Sequence, residues 1–225
     1  MAVAAPDLAK LREAFARTAT PEPTQRAAPH GVSAVLLALY DTAGEPELLY
    51  TRRTETMRSH PGEISFPGGR VEAQDASPLH AALREADEEV GIPPADVATW
   101  GHLTDFLTHR DVLVCAYVGE IAGPEQVDPA TRRLVRPGRR PPTTPRSAAE
   151  VAQVFTVPLR ELLSPETYEA RTVEGLDRRV HYWRVGGRVV WGITGELTAR
   201  FLARTCGWTP PSEPRVIHEI SEFRP

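Results

Sequence analysis

Apolar residues recur along the chain in two rhythms, and the rhythm of each stretch predicts an element. Leu8, Leu11 and Phe15 fall at helical spacing behind Asp7, which can cap a short helix that Pro21 and Pro23 bring to an end. Residues 31–40 are almost continuously apolar and read as a buried strand. Asp41 to Glu45 supplies a turn into a second strand from Leu48 to Arg53, so the two should pair as a hairpin. Residues 54–69 carry the Gly and Pro of a structured loop. Pro78 to Val90 is helical: proline stands in the first turn, Leu79, Leu83, Ala86 and Val90 share a face, and Gly91 is placed to stop the helix.

Strands are predicted near 97–106, 111–121 and 151–157, the last leading into a short helix around Leu159 to Leu163. Val180 to Val185 and Arg188 to Ile193 flank Gly186-Gly187 as a second hairpin, and Gly195 to Cys206 is the last helix. Between the strands near 111–121 and 151–157, residues 123–147 hold Pro124, Pro129, Pro137 and Pro141-Pro142 and read as a long loop. That loop carries Arg132, Arg133, Arg136, Arg139, Arg140 and Arg146 with no acid between Asp128 and Glu150. Its composition favours a disordered insertion over a basic flap on an anionic substrate. The order of elements is α+β, with helices outside a largely non-sequential sheet. Three regions are expected: an N-terminal helix and arm over 1–25, a main domain over 26–207, and a polar C-terminal tail over 208–225.

Composition narrows the setting more than the function. The chain has 225 residues, 41% hydrophobic and 25% charged, enough for one sizeable core. A net charge of -4 argues against a general nucleic-acid binder, and no aromatics interleave the arginine run. The longest apolar stretch, Ala34 to Tyr40, is far short of the ~20 residues of a membrane span. Cys115 and Cys206 lack metal-ligand spacing and read as reduced thiols. With no signal peptide visible, a cytoplasmic setting is expected.

The chemistry concentrates in residues 66–92. On a helix, Glu85 precedes Glu88 by three residues and Glu89 by four, so three carboxylates project from one side. Alone, such a cluster is usually a solvated face. Here a Gly68-Gly69 loop enters the helix, Arg84 precedes the first carboxylate and Gly91 follows the last, and like charges so arranged call for a cation. Clustered carboxylate oxygens suit Mg²⁺ or Mn²⁺ rather than zinc. Glycines let backbone groups approach a metal-bound phosphate.

Gly69, Asp75, Arg84, Glu85, Ala86, Glu88, Glu89, Gly91 and Ile92 resemble the signature box of the Nudix hydrolases. Two departures stand out: the first acid is Asp75 rather than Glu, and eight residues rather than seven separate it from Arg84. The longer box is similar to that of the coenzyme A pyrophosphatase branch, which carries a second motif upstream. Leu49, Thr51, Arg53, Arg58, Gly62 and Phe66-Pro67-Gly68-Gly69 follow that motif at its spacing, with Tyr50 and Thr54 as mild departures.

The resemblance implies an α/β/α sandwich around a mixed β-sheet. It implies Glu85 and Glu89 as metal ligands, Glu88 as a further one, and the Gly69 carbonyl completing the set. Arg84 would orient Glu85 and Asp75 would cap the helix. Glu150 would be a general base or an extra ligand, against the alternative of a surface glutamate. Arg53 and Arg58, with Gly68 and Gly69, would meet substrate phosphates. The implied reaction is hydrolysis of the diphosphate of coenzyme A or acyl-coenzyme A to 3′,5′-ADP and (acyl-)4′-phosphopantetheine. ADP-ribose, dinucleotides or nucleoside triphosphates are the competing substrates. A nucleotide-binding regulator without catalysis is the competing class, disfavoured because all three box carboxylates are present. The expected partner is a small nucleotide diphosphate, not nucleic acid or membrane; a homodimer is left open.

Overall fold

The computed structural model describes residues 6–18, 30–57, 59–108, 110–123, 126–127, 134–135, 138–173 and 179–217. Its strands are β1 Val32–Thr42, β2 Glu45–Arg53, β3 Ile64–Ser65, β4 Gly68–Arg70, β5 Val97–Leu107, β6 Leu113–Ile121, β7 Gln126–Val127, β8 Leu134–Val135, β9 Val151–Pro158, β10 Tyr168–Val173, β11 Arg179–Val185, β12 Arg188–Val190 and β13 Arg215–Ile217. Its α-helices are α1 Leu8–Arg17, α2 Pro78–Val90, α3 Leu159–Leu162 and α4 Gly192–Cys206.

The unbroken apolar run of β1 is explained by burial on both faces. Leu37 and Leu39 join one core layer while Ala34, Leu36, Ala38 and Tyr40 join the other, the period of two expected of a strand. The second layer is closed by α2 through Ala81, Ala82, Ala86 and Val90. The first is closed by α1, α4 and a smaller sheet of order β12-β11-β10-β13, contributing Leu11, Phe15, Phe201 and Trp183. The main sheet is mixed. β1 runs parallel to β6 and antiparallel to β2 and β4, and β9 pairs with the far side of β2. The fold is therefore α+β with helices outside a mixed sheet.

One feature of this sheet places the site. β1 pairs with β2 only from Leu39 to Thr42; from Ser33 to Val35 the same edge is taken by β4. The two strands splay, and the Gly68-Gly69 segment fills the gap against α2.

Several stretches differ from the sequence reading. β10 has no counterpart in the sequence reading: its alternation of Tyr168 and Ala170, both buried, with Glu169 and Arg171 is too short to stand out, and pairing with β11 makes the strand. The last helix begins at Gly192, where the Trp191 carbonyl accepts the Gly195 N–H, so the preceding strand ends at Val190. After this helix, Trp208 packs on Tyr168 and Trp183, and β13 adds to β10 in parallel. The expectation of disorder in the arginine-rich loop fails for residues 138–147. Arg139 reaches Asp96 at 2.8 Å, Arg146 reaches Asp87 at 2.5 Å, and the N–H groups of Arg146 and Ser147 both donate to the Glu89 carbonyl. Arg132, Arg133 and Arg136 lie outside the described residues. Among the described residues, no helix is long and apolar enough to cross a membrane.

Candidate active site

Helix α2 is set by local signals at both ends. Ser77 caps it by accepting the His80 N–H at 3.2 Å, Pro78 opens it, and Gly91 ends it in the left-handed region at φ 72°. Asp75 is not the cap expected from its position. Its carboxylate instead accepts both Nε and Nη2 of Arg84 at 3.0 Å, His80 Nδ1 at 2.9 Å and the Glu72 N–H at 2.9 Å. The Asp75 side chain is fully buried, and chiefly the Arg84 hydrogen bonds hold it well below the usual carboxylate range.

Arg84 spends every one of its donors. Beyond the fork to Asp75, Nη1 reaches Glu85 Oε1 at 2.9 Å and Glu88 Oε2 at 3.1 Å, and Nη2 reaches the Arg70 carbonyl at 3.1 Å. A planar guanidinium with five fixed donors suits this role, and an ammonium does not. Arg84 thus locks two carboxylates of α2 to the incoming loop.

The three carboxylates share a side of the helix but not an environment. Glu88 is 59% exposed, the Glu85 side chain 14%, and Glu89 only 4%. Glu89 lies under β4, where its Oε2 accepts the Gly68 N–H at 3.2 Å. Burial pushes Glu89 up to about 8, opposed by the Gly68 N–H and the Arg53 charge and reinforced by Glu85 and Glu150. Burial likewise raises Glu85. The two glycines make this packing feasible. A Cβ on Gly69 would overlap the Glu85 carboxylate, and one on Gly68 would overlap the Ala34 carbonyl.

A groove of about 370 Å³ gathers these groups. Eight of the residues singled out from the sequence line it: Arg53, Gly68, Gly69, Arg84, Glu85, Glu88, Glu89 and Glu150. Arg58 lies outside the described residues. Glu150 is exposed at the rim, and Thr54 ties its segment down by donating its N–H to the Glu150 carbonyl and its hydroxyl to the Ala149 carbonyl. Arg70, Glu72 and Ser147 also line the groove and were not foreseen. Arg70 directly follows the glycine pair, which was the available signal; Ser147 arrives only through its backbone bond to Glu89.

Two observations describe what the groove is built to hold. The Nε of Arg53 is buried with no hydrogen-bond partner, which leaves a donor for an anion. The charges of Glu85 and Glu150 add to the cost of ionising buried Glu89, which a divalent cation would relieve. Among the described residues, no three acidic, histidine or cysteine side chains are placed to hold a metal ion by themselves. An open set of oxygen donors fits Mg²⁺ or Mn²⁺, which keep waters and complete their shell with substrate phosphates.

Comparison with known proteins converges on one family. A family model described as the NUDIX domain matches residues 29–178. An uncharacterized Nudix hydrolase, NudL, of Photorhabdus laumondii is 35% identical over 79% of this chain and 87% of its own length. A second uncharacterized Nudix hydrolase NudL, from Yersinia enterocolitica, is 31% identical over 80% of this chain and 84% of its own. Among solved structures, a MutT/nudix family protein from Enterococcus faecalis covers 90% of this chain and 70% of its own, with a TM-score of 0.46 at 14% identity. An Ap4A hydrolase from C. elegans covers 79% of this chain and 99% of its own, with a TM-score of 0.46 at 15% identity.

Proposed function

The chain belongs to the Nudix family and is a hydrolase of pyrophosphate bonds, and from that premise we propose that its substrate is coenzyme A or an acyl-coenzyme A. The observation carrying this reading is Arg53. It stands in the upstream motif at the spacing of the coenzyme A pyrophosphatase branch, and its buried, unpartnered Nε lines the same groove as the α2 carboxylates. Products would be 3′,5′-ADP and (acyl-)4′-phosphopantetheine.

Glu85 and Glu89 would hold a divalent ion, with Glu88 and the Gly69 carbonyl contributing. Mg²⁺ or Mn²⁺ bound there supplies charge neutralisation of the diphosphate and a water of lowered pKa. The chain's own groups divide the remaining work. Arg53 binds the diphosphate by charge-assisted hydrogen bonds, and Arg70, also on the groove, adds positive charge. Arg84, anchored by Asp75, keeps Glu85 and Glu88 oriented. Glu150 at the rim accepts the proton of the attacking water as the bridging P–O bond breaks and the second phosphate departs with that oxygen.

A panel of coenzyme A, ADP-ribose, a diadenosine polyphosphate and a nucleoside triphosphate, each with Mg²⁺, tests the substrate. The account expects the highest kcat/KM on coenzyme A or an acyl derivative. Faster turnover of ADP-ribose would overturn the substrate assignment and leave the family's chemistry standing. Turnover of none, with tight nucleotide binding, would place the chain among non-catalytic regulators.

A further inference from the structure

A second, larger hollow of about 620 Å³ shares no lining residue with the groove. It lies at the β9 edge of the main sheet, on the α2 side, where Val154 belongs to the core layer that α2 closes. Val154 and Thr156 of β9 form one wall, and the loop from Arg139 to Thr143 forms the other.

Both walls lead to the groove. The loop continues from Thr143 to Ser147, which lines the groove, and β9 runs back from Glu150, also in the groove, to Val154. Four residues of strand span about 13 Å, so the hollow lies within reach of a substrate whose diphosphate rests among the carboxylates. The loop wall is fixed at both ends, by Arg139 to Asp96 at 2.8 Å and by Arg146 to Asp87 at 2.5 Å.

The lining selects which end of the substrate enters. Asp41 and Glu47 balance Arg139 and Arg140, and Arg139 is already engaged by Asp96. Pro141, Pro142, Val154 and Phe155 add apolar surface. A partly apolar hollow with no surplus of positive charge does not favour another phosphate, whereas the groove offers Arg53 with a free buried donor. Moreover β9 pairs only with β2 among the described residues, so its outer edge carries strand N–H and C=O groups without a neighbouring strand. A ligand bearing amides in an extended chain can add to such an edge.

Resting on the coenzyme A reading, we propose that this hollow receives the uncharged pantetheine arm, with any acyl group on its thiol. The arm's two amides meet the β9 edge, and its thiol end lies between Thr156 and the proline pair. The hollow thereby decides which acylated substrates are accepted.

Thr156→Trp and Thr143→Trp narrow the hollow from facing walls, one in the sheet and one in the loop, so that agreement between them separates blockage from misfolding. KM for coenzyme A and Ki for 4′-phosphopantetheine should rise about tenfold in both, with Ki for 3′,5′-ADP moving by less than about twofold. A shift in the 3′,5′-ADP constant instead, an equal shift in both, or no shift overturns the proposal. If the wild-type enzyme leaves coenzyme A intact, the functional reading fails and the hollow is judged on pantetheine alone. Saturation-transfer NMR contact to wild type, lost in Thr156→Trp, sustains it; no contact overturns it.

Discussion

Replacing Glu89 by glutamine should destroy activity and stabilise the metal-free protein in the same stroke. The Glu89 carboxyl is 4% exposed, and burial pushes it up to about 8 from an ordinary 4.5. A carboxyl raised on folding favours the folded state fully only below its unfolded value, and that advantage is lost as pH climbs through the folded one. At pH 7.5 the unfolded carboxyl is about three pH units past its midpoint while the folded one is still largely protonated. At about 1.4 kcal/mol per unit, this costs the folded wild type about 4 kcal/mol. Glutamine is neutral in both states, keeps the shape and can still accept the Gly68 N–H, so it escapes the cost. Urea denaturation with chelator at pH 5 and pH 8 reads this directly. At pH 5 the two proteins should differ by less than about 1 kcal/mol; at pH 8 the variant should be the more stable by about 4. The corresponding shift in Tm is about 10 °C for a chain of this size. Mg²⁺ should then raise the Tm of wild type and leave the variant unmoved. A variant no more stable than wild type at pH 8, or a difference that does not grow with pH, would refute the burial argument.

Arg84→Lys should lower kcat by at least about a hundredfold, because one ammonium cannot replace the fork to Asp75 and the links to Glu85 and Glu88. Arg84→Ala, which also strands buried Asp75, should cost about 3 kcal/mol in urea denaturation at pH 7, and a smaller loss would mean that Asp75 finds other partners. Gly69→Ala places a Cβ against the Glu85 carboxylate, so steady-state assays should show kcat falling about a hundredfold with the melting transition still cooperative. His181 is buried against Tyr168, which it meets at 2.8 Å, and burial holds it below its ordinary value. Its contribution to stability is therefore fully present above about pH 6.5 and is lost as pH falls from there through its lowered folded value; His181→Gln should flatten this part of a Tm-against-pH curve.

What the sequence made legible was what local chemistry decides. Ser77, Pro78 and Gly91 bound α2 through their own backbone preferences, so Pro78–Val90 was readable to the residue. The β1–β2 hairpin was readable because its apolar run and turn residues are contiguous. The meeting of the glycine pair with the α2 carboxylates could be anticipated only by resemblance. Different burial of Glu85, Glu88 and Glu89 could not be anticipated, since it depends on β4 crossing α2 where β1 and β2 splay. Asp75 looked like a cap because it precedes the helix by a few residues; its partner is Arg84 on the second turn, which the loop's path brings near. The pinning of residues 138–147 depends on the Glu89 carbonyl at the end of α2, an acceptor no composition reveals.

The account rests most directly on what happens to coenzyme A in the groove. Mass spectrometry of coenzyme A incubated with wild type and Mg²⁺ should find 3′,5′-ADP and 4′-phosphopantetheine in equal amounts, formation ending on chelation and absent with Glu89→Gln. Intact coenzyme A under conditions in which another diphosphate is cleaved, or equal cleavage by the glutamine variant, would contradict it.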